Sequence, residues 1–178
     1  GAQVILPPVV GGEIAAEPLM AVTVVGQSGV YMASVSKQLT AMAVLLLVED
    51  GKLRLDQPIR SVIPELPAYA DKVTIAQLLN HTSGMRDYFT LGALDGLTES
   101  HSWTEDEVLK TLGRQQGLSF PPGSAFLYSN SGYVLLSIVV HRVSGQRLDD
   151  FARARMFTPL GMSHSRFQHD HNAPIPEK

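Results

Sequence analysis

Cysteine is absent from all 178 residues. Its absence excludes disulfides and thiolate metal sites, yet it leaves the compartment open, because many exported proteins also do without it. Basic clusters are missing too: 14 Lys and Arg stand against 17 Asp and Glu, for a formal charge of −3. A nucleic acid would find no basic patch to dock on, so none is expected as a partner. No uninterrupted apolar run reaches the roughly 20 residues that a bilayer-spanning helix needs, and no membrane is expected either. The N-terminus, Gly1-Ala-Gln-Val-Ile-Leu-Pro-Pro8, lacks the charged start and apolar core of a secretory leader. A mature periplasmic or secreted form and a cytoplasmic protein read alike here, so localisation stays unassigned. Internal repeats and low-complexity segments are also lacking.

What is present is enough chain for one domain with a real core. Leu19-Met-Ala-Val-Thr-Val-Val25, rich in β-branched residues between Pro18 and Gly26, is expected to be a strand, and Val30-Tyr-Met32 a second short one. A helix is expected from Ser34 to Asp50, ended by Gly51. It is apolar on nearly every side between Leu39 and Val48, so it must be covered all round. The segments 53–58 and 63–67 read as extended linkers. Thr74-Ile-Ala-Gln77 and Thr104-Glu-Asp-Glu107 read as capping boxes, opening helices that reach Asn80 and the vicinity of Gly117. Pro121-Pro-Gly123 forces a turn. Two more helices follow, at 132–143 before Gly145 and at 148–157 before Pro159-Leu-Gly161.

Ser34 and Lys37 carry the first chemical signal. A serine hydroxyl is a weak nucleophile without a base beside it. Residues three apart on a helix share a face, with Cβ atoms roughly 5–6 Å apart, which brings the Lys37 amine within reach of the Ser34 hydroxyl. A lysine becomes a base when an apolar setting disfavours its charged form, and the run Ala41–Val48 offers such a setting. The spacing alone proves little, since Ser-x-x-Lys arises by chance on the order of once in a chain this long.

Tyr128-Ser-Asn130 is the second signal. At a loop-to-helix junction the two outer side chains can enter one cleft, where the phenol could relay a proton to or from Ser34 and Asn130 could hold a substrate carbonyl or amide. The alternative is a tyrosine packed under a turn and an asparagine capping the next helix. His81-Thr-Ser-Gly84 reads as a helix end closed by polar residues and a glycine, a structural role, because sequence neighbours seldom form a nucleophile and base. His101 and His141 read as isolated surface residues.

Together these blocks resemble a known family. Ser34-Val-Ser-Lys37-Gln-Leu-Thr40, Gly51-Lys-Leu-Arg-Leu-Asp56, Leu78-Leu-Asn-His-Thr-Ser-Gly84, Pro122-Gly123, Tyr128-Ser-Asn-Ser-Gly-Tyr133 and Pro159-Leu-Gly-Met162 are similar to the serine β-lactamase and penicillin-binding-protein family, in its class C, esterase and D-aminopeptidase branch. The resemblance runs from about Tyr31 to the C-terminus. It implies that Ser34 is the acylated nucleophile, Lys37 its activating partner, Tyr128 the general base or acid and Asn130 a substrate contact. It also implies a hydrolase of small ester or amide substrates that needs no cofactor.

Departures from the family shape the expected fold. Members are usually about twice this length and set their helices against an antiparallel sheet completed by C-terminal strands. One such strand carries a Lys-Thr-Gly or His-x-Gly motif and a second oxyanion donor. Here the chain reaches Lys178 without it, and losing one such donor typically costs about 10²–10³ in rate. The expected fold is therefore mainly α: the helical region of the β-lactamase-like α/β fold, with one or two N-terminal strands and an incomplete sheet. The expected organisation is a single truncated domain over 1–178, with coil and strand at 1–32, a helical core at 33–162 and a histidine-rich tail at 163–178. An incomplete sheet would bare one face of the Ser34 helix, and a symmetric homodimer is the expected cover.

The tail adds an independent candidate. His164, His169, Asp170 and His171 lie close in sequence, and in extended chain His169 and His171 point to one side. Three of them could ligate zinc or a similar divalent metal and leave a position for an activated water. An alternative function is therefore metal-dependent hydrolysis of esters or phosphoesters, and a third is a non-catalytic helical assembly module.

Overall fold

Helix α5 (Asn130–Ser144) is the axis of the structure, a computed structural model that describes residues 22–25, 29–98 and 101–167. Every residue from Ser131 to Val140 is buried, as an all-round apolar helix requires. Helix α1 (Lys37–Glu49) lies against it and buries Ala43, Val44 and Leu47. The short helices α2 (Ile75–Leu79), α3 (Tyr88–Leu94), α4 (Glu105–Gly113) and α6 (Leu148–Ala152) also touch α5. One continuous core runs through all of them, from Leu47 and Ile59 to Leu112, Leu135 and Phe157.

One side of the Ser34 helix is expected to be bare, and α1 shows such a face. It is α5 that is enclosed, while α1 keeps an open stripe: Val35 just before it is 48% exposed, Met42 47% and Leu45 45%. Spacings of seven and three put these residues on one face.

Both capping boxes form. The Thr74 Oγ1 accepts the Gln77 N–H at 3.3 Å and Gln77 returns the bond to the Thr74 N–H at 3.0 Å. Thr104 and Glu107 do the same at 3.2 and 2.8 Å. Gly145, at φ 74°, closes α5 by donating its N–H to the His141 carbonyl. Four helix ends move by two residues or more: α1 starts at Lys37, α4 stops at Gly113, α5 starts two residues early, at Asn130, and α6 stops at Ala152. After α6 the chain widens into a π-turn at Arg153–Phe157.

Three strands make a small antiparallel sheet in the order β2-β1-β3, with β1 at Val22–Val25, β2 at Gly29–Tyr31 and β3 at Ser165–Phe167. Thr23 stands opposite Tyr31 on one side and Arg166 on the other. The described residues are therefore helix-rich with a small sheet, as expected, but the start of the supposed tail is a strand. Phe167 is buried there, 6.2 Å from the Phe157 ring. Among the described residues no helix is long and apolar enough to cross a membrane.

Candidate active site

A 3₁₀ turn, Ala33–Ser36, leads into α1 and presents Ser34 to solvent. Ala33 holds φ at 42°, a left-handed value that costs a residue with a Cβ free energy and recurs at functional positions. One turn on, Lys37 is the first residue of α1 and only 6% exposed. Its Nζ donates to the Ser34 Oγ at 3.2 Å. From the far side the Tyr128 hydroxyl donates to the same oxygen at 3.0 Å, across 94 residues of sequence. The Lys37 ammonium also lies 4.9 Å from the centre of the Tyr128 ring and 5.7 Å from that of Tyr133, close enough for a cation–π attraction. Ser34, Lys37 and Tyr128 thus converge on one oxygen.

Asn130 arrives at the head of α5. Its N–H donates to the Asp87 Oδ2 at 2.5 Å, and its side-chain carbonyl oxygen is buried without a hydrogen-bond partner among the described residues. An acceptor left so costs free energy unless something later fills it. The helix-capping alternative weighed for Asn130 does not hold, because Ser129 is the N-cap residue and makes no side-chain cap bond.

Three residues near the site were assigned no chemical part from sequence. The His81 ring lies 4.5 Å from that of Tyr128 and 5.2 Å from that of Tyr133, and Phe126 meets its edge at 5.9 Å. His81 Nδ1 accepts the Ser129 N–H at 3.2 Å, so the lone pair is on Nδ1 and the neutral ring carries its proton on Nε2. Burial pushes its pKa below the usual histidine value, and the nearby Lys37 charge pushes the same way. Tyr133 donates to the Leu79 carbonyl at 2.9 Å, and burial raises its pKa. Asp87 caps α3 while holding Asn130. Its sequence signal was present, an aspartate just before an apolar segment.

His164 is exposed in the turn before β3, whereas His169, Asp170 and His171 lie outside the described residues. Among the described residues no group of three His, Cys, Asp or Glu side chains comes together as metal ligands would. His101 is not isolated: its ring meets Trp103 edge-on at 5.0 Å and its Nε2 lies 3.6 Å from Glu107.

Comparison with known proteins gives concordant findings. A family model described as Beta-lactamase matches residues 20–176. Esterase EstB of Burkholderia gladioli is 41% identical over 145 residues, covering 74% of this chain and 36% of that protein. Penicillin-binding protein 4* of Bacillus subtilis is 36% identical over 137 residues, covering 76% and 30%. The crystal structure of D-amino acid amidase from Ochrobactrum anthropi SV3 superposes with a TM-score of 0.69 at 29% identity, covering 87% of this chain and 50% of that one. The chain spans about a third of the length of these curated relatives.

Proposed function

The chain belongs to the β-lactamase family, and from that premise we propose that it is a serine hydrolase acting on ester or amide bonds through an acyl-enzyme on Ser34. The observation that carries this reading is the convergence of Lys37 Nζ and the Tyr128 hydroxyl on Ser34 Oγ, at 3.2 and 3.0 Å. A nucleophile and its base must lie within hydrogen-bond reach, and here two proton-transfer partners do.

In the proposed cycle one member of the Lys37–Tyr128 pair starts without its proton, Ser34 Oγ attacks the substrate carbonyl carbon, and the serine proton passes to that member. The tetrahedral adduct collapses, the pair returns that proton to the leaving alcohol or amine, and the acyl group stays on Ser34. Water then attacks the ester, giving up a proton to the pair, and the acid leaves as Ser34 Oγ takes the proton back. Asn130, with its buried unpartnered carbonyl oxygen, is the proposed contact for a substrate amide N–H. Esters are favoured over amides: Ser34 is exposed and Tyr128 is 43% exposed, so the site is open, and alcohols leave more readily than amines.

A second copy of this chain is the proposed partner, as a homodimer across the α1 stripe of Val35, Met42 and Leu45. Light scattering that finds only monomer at micromolar concentration would remove that part. The reaction itself is tested with p-nitrophenyl acetate: Ser34→Ala should abolish both turnover and the acyl adduct seen by mass spectrometry. Turnover that survives the substitution would refute the serine mechanism.

A further inference from the structure

His81 is bound to the segment that delivers Tyr128 more closely than a helix-ending residue need be. The 81–84 loop and the 118–129 stretch are stitched together by a run of hydrogen bonds. Ser119 N–H donates to the Gly84 carbonyl at 2.8 Å, Gly123 N–H to that of Thr82 at 2.8 Å and Leu127 N–H to that of His81 at 3.0 Å. The last bond in the run departs from the pattern, because Ser129 N–H goes to the His81 ring at Nδ1. Tyr128 is therefore held on both flanks by one residue, through the His81 carbonyl before it and the His81 ring after it, while that ring also lies along its face at 4.5 Å. His81 adopts φ 61° to do this, a left-handed conformation that histidine tolerates better than most residues.

We propose that His81 is a positioning residue for Tyr128: its neutral ring, lying against Tyr128 and Tyr133, aims the Tyr128 hydroxyl at Ser34, and protonation of that ring releases it. The chemistry of the contacts gives the switch its direction. A protonated imidazole has no lone pair for the Ser129 N–H, so two donors would then face each other. It would also place a second cation beside Lys37. Among the described residues, the titratable groups facing the ring are Lys37 from α1, Tyr128 from the approach to α5 and Tyr133 from its first turn. Its own segment, 79–85, contains no other ionisable side chain, and no carboxylate in these contacts offsets the new charge. Burial first and the Lys37 charge next depress the pKa of His81. The Tyr128 hydroxyl should therefore leave Ser34 as the solution turns mildly acidic.

The proposal rests on the serine reading, and the test separates the two. Histidine Cε1–H resonances are followed against pH by NMR, with His81 assigned by its loss in His81→Asn from the set of six. Its midpoint should fall below the ordinary value of about 6.5, and Tyr128→Ala should raise it. A midpoint at or above that value, or one that Tyr128→Ala leaves in place, overturns the proposal whether or not Ser34 is acylated. With p-nitrophenyl acetate, the kcat of the wild type should fall on an acidic limb at the NMR midpoint. Asparagine suits the left-handed backbone, and its Oδ1 can take the Ser129 N–H without titrating, so His81→Asn should lose that limb. His81→Ala should lower kcat by about 10²-fold with KM little changed, the size of effect expected from misplacing a reacting group by about 1 Å. An acidic limb of the same midpoint in His81→Asn, or an equal loss in both variants, would count against His81. Activity retained in Ser34→Ala would instead sink the serine reading.

Discussion

Asp87 joins two helix starts with one carboxylate: its Oδ2 accepts the N–H of Asn130 at 2.5 Å. Its Oδ1 accepts those of Phe89 and Thr90 at 3.1 and 3.4 Å. The N-terminal amides of a helix lack partners within it and favour negative charge, so one residue serves both α3 and α5. Because Tyr128 lies two residues before Asn130, the joint also fixes where the phenol enters the site.

Asp87→Ala removes a cap and strands the Asn130 N–H. A lost cap costs about 1 kcal/mol and an unsatisfied buried donor about 1–3. The variant should be about 2–3 kcal/mol less stable by urea unfolding, and its ester turnover should fall as well. Asp87→Glu, with its longer arm, should recover less than half of the loss. A change under 0.5 kcal/mol in Asp87→Ala would show that water replaces the carboxylate freely.

Tyr128→Phe isolates the hydroxyl from the ring. The phenylalanine can keep its stacking on His81 and its place over the Lys37 ammonium, while the donor to Ser34 disappears. If the phenol moves the proton, kcat should fall by about 10²–10⁴, the usual contribution of a general acid or base, with KM within about twofold. A wild-type kcat would assign proton transfer to Lys37 alone.

Much of this arrangement was readable from local signals, and the unread parts share one cause. The two threonine capping boxes, Gly145 and the Ser34–Lys37 pair each depend on residues within four positions, and each appears where the local rule puts it. Helix α3 went unread because Tyr88–Leu94 is short and contains Gly92. It is fixed from outside by the Asp87 cap and by the Trp103 ring lying where a Cβ on Gly92 would stand. β3 is three residues long and exists through its pairing with β1, more than 140 positions away. The part of His81 is not legible locally, because its partners, Tyr128, Ser129 and Tyr133, are about 50 residues distant. The open face of α1 agrees with the sequence reading, but hydrophobicity tells only that a face should be covered and not by what.

Gly84 is a position where no other residue fits. Its φ is +73°, and an added Cβ would lie 2.3 Å from the Phe120 carbonyl oxygen, a backbone atom held nearby by the bond from Ser119 to Gly84. Gly84→Ala must therefore part the 81–84 loop from the 118–129 segment. Overpacking alone costs about 1–3 kcal/mol, and the left-handed backbone adds to it. The variant should melt at least several degrees lower, and its ester turnover should drop further than its stability, because Tyr128 moves with the segment. Gly96→Ala, where nothing lies within 4 Å of the new Cβ, is the control for the left-handed backbone term.

Tyr69 provides an alkaline test of the core between the 68–70 turn and α4. Its hydroxyl donates to the Leu112 carbonyl at 2.7 Å, and burial pushes its pKa up to about 12 against the opposing charge of Arg86. The sign follows from proton binding. Between pH 10 and 12 the folded chain keeps a phenolic proton that the unfolded chain, with an ordinary value near 10, gives up. Stability from this group is complete below pH 10 and drains away as pH climbs through 12. Tyr69→Phe loses one hydrogen bond, about 0.5–1.5 kcal/mol at pH 8, and has no proton to lose. The wild type should thus lead the variant at pH 8 by urea midpoint, with the gap narrowing steadily above pH 10. A gap that stays constant to pH 12 would mean that Tyr69 ionises as readily in the folded protein as in the unfolded chain.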